Sequence, residues 1–96
     1  MANEELVKTY LRRIGMGTFV KYYDDLSKQN SADCRNAMSG EGYTKNSLNT
    51  KIASGIRLFR EQMATEALIL ISGAANVDES VRQAASKKLR ELGIVI

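Results

Sequence analysis

Apolar residues recur along this chain at steps of three and four, the period of helices that bury one face. Leu6, Val7, Tyr10, Leu11 and Ile14 share one face of a first helix. Asn3 is its candidate N-cap and Gly15 is placed to terminate it. Thr18 then predicts the cap of a second helix with the stripe Phe19, Tyr22, Tyr23 and Leu26. "QNSAD" interrupts the pattern, and Ser31 is a candidate cap for a short helix through Ala37 and Met38. "SGEG" at 39–42 reads as a loop. Leu48, Ile52, Ile56 and Phe59 define the apolar face of the next helix. A fifth helix is expected to start near Gln62, carrying Met63, Ala67, Leu68 and Ile71. After "GAANV", Asp78 is placed to cap a last helix with Val81, Ala84, Ala85, Leu89 and Leu92 on one side and Gly93 at its end. The short apolar runs "ALILI" (67–71) and "GIVI" (93–96) are compatible with helix or strand, since brief runs do not separate the two. The pattern predicts an all-α, single-domain bundle of five or six short helices over residues 1–96.

Composition supports this and narrows the class. The chain has 96 residues and no proline, so the commonest helix breaker is missing. Hydrophobic residues at 44% suffice for one core without metal or disulfide support. Cys34 is the single cysteine, so no intrachain disulfide forms and a reducing, cytoplasmic setting is the expectation. "MANEELVKTY" is acidic and polar where a signal peptide is basic and then apolar. No apolar run approaches the roughly 20 residues of a membrane span.

Enzyme chemistry finds little to build on. There is no histidine, which removes the usual general base and the commonest metal ligand. One cysteine without histidine makes neither a Cys–His nucleophile nor a zinc site of the cysteine type. "GMGTFV" at 15–20 begins like a dinucleotide fingerprint, but lacks the third glycine and follows a helix. Asp24 and Asp25 are sequence neighbours on a helix and point in different directions, so they do not pair for acid–base work. The chain is therefore expected to be non-enzymatic, with no cofactor, no metal and no small-molecule substrate.

Charge changes the picture in one place. The net charge is +3, and residues 31–60 hold five bases against two acids. Within "YTKNSLNTKIASGIRLFR" (43–60) there is no acid at all. Its Asn, Ser and Thr residues lower helix propensity, because their side chains compete for backbone hydrogen bonds. Opposite the apolar face, Asn46, Asn49, Thr50, Ala53 and Arg57 recur at three and four residues as one outward stripe. Asn pairs with adenine edges, Arg with guanine, and Ala or the Thr methyl touches thymine. Ala53, Ser54 and Gly55 are small enough for close approach to a groove. Lys45, Lys51 and Arg60 flank the stripe, where phosphates would lie. The helix at 44–60 is thus a candidate DNA-binding element.

The segment "ADCRNAMSGEGYTKNSLNTKIASGIRLF" (32–59) resembles helix-turn-helix DNA-binding domains over less than a third of the chain. The resemblance implies that Ala37 and Gly42 stand for the alanine of the first helix and the turn glycine, and that "YTKNSLNTKIASGIRLF" is the recognition helix. "SGEGY" is longer than that family's turn, with Glu41 near the place of its glycine. Duplex DNA is the partner it implies. A second resemblance is to a different class: "YLRRIGMGTFVKYYDDL" is similar to the opening helix of sterile-alpha-motif interaction domains. That alternative implies a protein-binding or homodimerising module with "ELGIVI" as an adhesive end, and a third reading is an accessory domain of a larger nucleic-acid enzyme. A plain solvated polar face accounts for the same stripe without any ligand.

Overall fold

The computed structural model describes residues 4–94, and among them are seven α-helices, one 3-10 turn and no strand. The fold is all-α, as the periodicity predicts. Helix α1 (Glu4–Ile14) buries Val7, Tyr10, Leu11 and Ile14. Glu4 and Glu5 lie in its first turn and Arg12 and Arg13 in its last, each sign at the end of the helix dipole that it stabilises. Gly15, at φ 89, ends it. The expected cap Asn3 and the last two residues of "GIVI" lie outside the described residues.

The expected second helix is divided in two. Helix α2 (Met16–Lys21) starts directly after Gly15, and α3 (Tyr23–Ser27) follows Tyr22, whose φ −108 and ψ 23 leave helical values. Thr18 is inside α2 and caps nothing; its hydroxyl shares a 3.0 Å hydrogen bond with that of Tyr43. The break also rotates the stripe. Phe19, Tyr23 and Leu26 enter the core, while Tyr22 stays half-buried and donates its hydroxyl to Glu41.

Helix α4 (Ser31–Ala37) is capped by Asn30, whose side chain accepts from the Asp33 N–H, one residue before the expected Ser31. Cys34 and, just beyond the helix, Met38 are its core residues. A 3-10 turn (Ser39–Glu41) and Gly42 at φ 79 lead into α5 (Lys45–Arg60), capped by Thr44 accepting from the Ser47 N–H. Lys21 and Tyr22 both bond to Glu41, and the Lys21 hydrogen bond, followed by that from Tyr22, holds the Glu41 carboxyl below the usual carboxylate range.

Helix α5 ends in a Schellman arrangement built on a non-glycine residue. Gln62 has φ 59, its N–H bonds to Phe59 O, and the Met63 N–H bonds to Leu58 O at 2.7 Å. Helix α6 (Ala64–Ser72) therefore starts two residues after the expected point and includes all of "ALILI". Left-handed backbone is costly for a residue with a Cβ, by roughly 1–2 kcal/mol, and glycine gives back part of that through its freer unfolded chain. Gln62→Gly is expected to stabilise the fold by about 0.5–1 kcal/mol. A urea midpoint that stays put or falls would refute this.

Helix α7 (Glu79–Glu91) follows Asp78, which holds the N-cap position without a side-chain capping bond. Gly93 closes it at φ 78, with the Ile94 N–H bonded to Leu89 O. Of its expected stripe, Ala85 and Leu89 are buried and Val81 is partly buried, while Ala84 and Leu92 are exposed. The α6–α7 loop is tied down by Arg82, which donates to Ala74 O at 2.9 Å and Val77 O at 2.8 Å. Lys88 on α7 reaches Asp24 on α3 at 3.0 Å.

Helix α5 is the central element, with α1, α3, α4 and α6 packed on it. Gly55 permits the closest approach. A Cβ there would lie 2.8 Å from both methyls of Leu26, which is fully buried. Phe19, Tyr23 and Phe59 form an aromatic cluster joining α2, α3 and α5, with ring centroids 4.9 to 5.8 Å apart.

Candidate nucleic-acid interface

Successive residues of a helix turn by about 100°. On that wheel the buried and half-buried side of α5, residues 47, 48, 51, 52, 54, 55, 56, 58 and 59, sweeps roughly 200°. The remaining arc of roughly 160° carries Asn46, Asn49, Thr50, Ala53, Arg57 and Arg60, all exposed, while Lys45, exposed in the first turn, falls on the wheel between Ile52 and Ile56. Five of the seven expected site residues are thereby brought onto one open face, and Lys45 is exposed at the start of the helix beside it.

Lys51 is the one of the seven that is not exposed. It falls on the wheel between Leu58 and Gly55, inside the packed side. Its ammonium donates to Ile14 O at 2.9 Å and lies 4.8 Å from the Tyr43 ring centroid. Ile14 is the last residue of α1, whose terminal carbonyls have no partner within that helix. Lys51 thus closes the end of α1 and stacks on Tyr43, and it stands apart from the outward face. Ser54 and Gly55, expected to ease approach to a groove, are likewise on the core side; only Ala53 of the three small residues is exposed.

The exposed side chains differ in how far they are committed. Lys45, Asn46, Thr50 and Arg60 make no side-chain hydrogen bond or ion pair among the described residues. Arg57 donates from Nε to Glu61 Oε2 at 2.8 Å. Asn49 accepts through Oδ1 from Arg35 Nη1 at 2.5 Å. Arg35 is the residue that sequence reasoning missed. It lies on α4 beside the buried Cys34, on the flank that meets α5 at Asn49. Asp33 is displaced from it by about 160° around α4 at the same rotation per residue. No acid lies within α5 itself.

The unit formed by α4, residues 38–44 and α5 has the order of a helix, a turn and a longer helix. Gly42 has the left-handed backbone of a turn glycine, whereas Ala37 is exposed and Cys34 and Met38 carry the packing.

Other chemistry is sparse. Among the described residues no three or more His, Cys, Asp and Glu side chains are grouped to hold a metal ion. Cys34 is buried, donates from Sγ to Asp25 O at 3.4 Å, and has its thiol pushed up by burial first and by Asp25 and Asp33 next. An open cleft of about 390 Å³ beside α7 is lined by Ser72, Glu79, Arg82, Gln83, Ser86 and Arg90, but Arg82 there is already engaged by Glu79 and two loop carbonyls. No helix among the described residues is long and apolar enough to cross a membrane. No family model, no curated protein and no solved structure matches the chain.

Proposed function

We propose that this domain binds duplex DNA through the exposed arc of α5. The observation that carries this is the composition of the arc: Asn46, Asn49, Thr50, Arg57 and Arg60 share one face of a helix that contains no carboxylate, and Lys45 is exposed in its first turn. A helix of 16 residues is about 24 Å long at 1.5 Å per residue and fits the roughly 12 Å width of the major groove. Lys45, Arg57 and Arg60 supply positive charge for phosphates, and Asn46, Asn49 and Thr50 supply hydrogen bonds. Glu61 competes with phosphate for Arg57, so DNA binding exchanges that ion pair for one with the backbone.

Fluorescence anisotropy of a labelled duplex, titrated with protein at several salt concentrations, tests the proposal. Three neutralised phosphates predict a log–log slope of about −2.7, at about −0.9 for each. Undetectable binding at low salt would defeat the proposal. A second reading, a protein-interaction or self-associating module, is favoured by Ile69 (38% exposed) and Leu92 (46% exposed), large apolar side chains outside the α4–α5 unit. Sedimentation of the isolated protein separates the two: a DNA-binding monomer excludes obligatory self-association.

A further inference from the structure

We propose that Arg35 and Asn49 act together as a guanine-selecting element, so that the domain prefers duplexes whose major groove presents guanine. This rests on the DNA-binding reading above and specifies what that face recognises.

A guanidinium has five N–H donors and no acceptor. Its partner atom on Asn49 is therefore the amide oxygen, and Oδ1 accepts from Arg35 Nη1 at 2.5 Å. That contact fixes the orientation of the Asn49 amide. With Oδ1 held by Arg35, the Nδ2 amino group is the end left to meet a ligand. Both side chains are exposed, and Arg35 has no carboxylate partner among the described residues, unlike Arg57, which is held by Glu61. The remaining guanidinium N–H groups of Arg35 and the amino group of Asn49 form a patch that offers donors to a ligand.

Adenine and guanine differ in what they ask of such a patch. Asparagine pairs with adenine by accepting from N6 through its oxygen while donating to N7. Here one lone pair of that oxygen, and with it the orientation of the amide, is committed to Arg35, and adenine N6–H₂ would face the other guanidinium donors. Guanine presents O6 and N7, both acceptors, in the same groove. A patch dominated by donors matches guanine and disfavours adenine. Arg35 consequently has two roles: it donates to the base itself and, by holding Oδ1, it sets which end of Asn49 is offered.

The test compares one duplex containing a central guanine tract with the same duplex carrying 7-deazaguanine there, which removes the N7 acceptor and leaves sequence and charge unchanged. Anisotropy at fixed low salt is expected to show tighter binding to the natural duplex by about tenfold, within the roughly 1–3 kcal/mol range of a good bidentate base contact. Arg35→Ala should abolish that difference. It should also improve relative binding to an adenine tract of equal length, because Asn49 recovers its oxygen. The salt slope should stay unchanged for this variant, whereas a residue that merely neutralised phosphate would flatten it by about 0.9. Asn49→Ala, at an exposed helical position where Ala is the better helix former, should remove the deaza effect without loss of structure by circular dichroism. Equal binding to natural and deaza duplexes, with DNA still bound, overturns the guanine proposal alone. Retention of the deaza effect in Arg35→Ala overturns it too. Absence of binding to every duplex overturns this proposal together with the DNA reading.

Discussion

Phe19→Ala is expected to lower the unfolding free energy by about 3–5 kcal/mol, the range for emptying an aromatic site in a core. Phe19 is completely buried, meets Tyr23 edge-on at 5.7 Å and stacks on Phe59 at 5.8 Å. Its ring is therefore the common contact of three helices. Neither partner can fill the void freely. Tyr23 is itself beneath Lys88, whose ammonium is 5.4 Å from the ring, and Phe59 is fixed on the central helix. A domain of this size has about 5–14 kcal/mol of stability, at roughly 0.05–0.15 kcal/mol per residue. The substitution thus removes a large part of the total. Urea denaturation followed by circular dichroism measures it, and a loss below about 1 kcal/mol would show that the cluster is not the keystone of the α2–α3–α5 junction. Phe19→Leu should recover more than half of the loss by refilling most of the volume.

Sequence periodicity carries far where one residue type dominates a face. Val7, Tyr10, Leu11 and Ile14 on α1 and Met63, Ala67, Leu68 and Ile71 around α6 are buried as their spacing predicts. Five of the seven proposed binding positions share a face for the same reason. Elsewhere local chemistry has two equivalent solutions. Asn30 and Ser31 are adjacent residues of the cap-forming kind, and only the geometry of the incoming chain decides between them. Thr18 likewise has the chemistry of a cap, but Gly15 allows α2 to begin earlier and frees the hydroxyl for Tyr43. Gln62 carries no propensity signal for a left-handed turn, so the end of α5 is set by tertiary packing of Met63 and Ala64. Arg35 belongs to a contact between helices, which no spacing within one helix reveals. Lys51 is a different case. Its place three residues after Leu48 and four before Gly55 puts it on the packed side, and its charge alone suggests the surface. Long lysine stems reach from such positions to backbone carbonyls, which is what Lys51 does at Ile14.

That difference between Lys51 and the exposed cations leads to the second large effect. Combined replacement of Lys45, Arg57 and Arg60 by Ala is expected to weaken binding to any duplex by about 500-fold at 0.1 M salt, where each neutralised phosphate contributes about 0.9 log unit. The salt slope should collapse toward zero with it. Stability should hold or rise slightly, because all three are exposed on α5 and Ala is the best helix former. Lys51→Ala should do the reverse. It leaves the Ile14 carbonyl without its donor and empties the space over Tyr43, lowering stability by about 1–3 kcal/mol. DNA affinity for each folded molecule, and its salt slope, should be unchanged. Both proteins need only urea denaturation and an anisotropy titration. If the triple variant binds DNA as tightly as the unsubstituted chain, the exposed arc of α5 is a solvated surface and the DNA reading fails. If Lys51→Ala instead flattens the slope by about 0.9 while stability holds, the ammonium leaves Ile14 to meet phosphate, and Lys51 returns to the binding face.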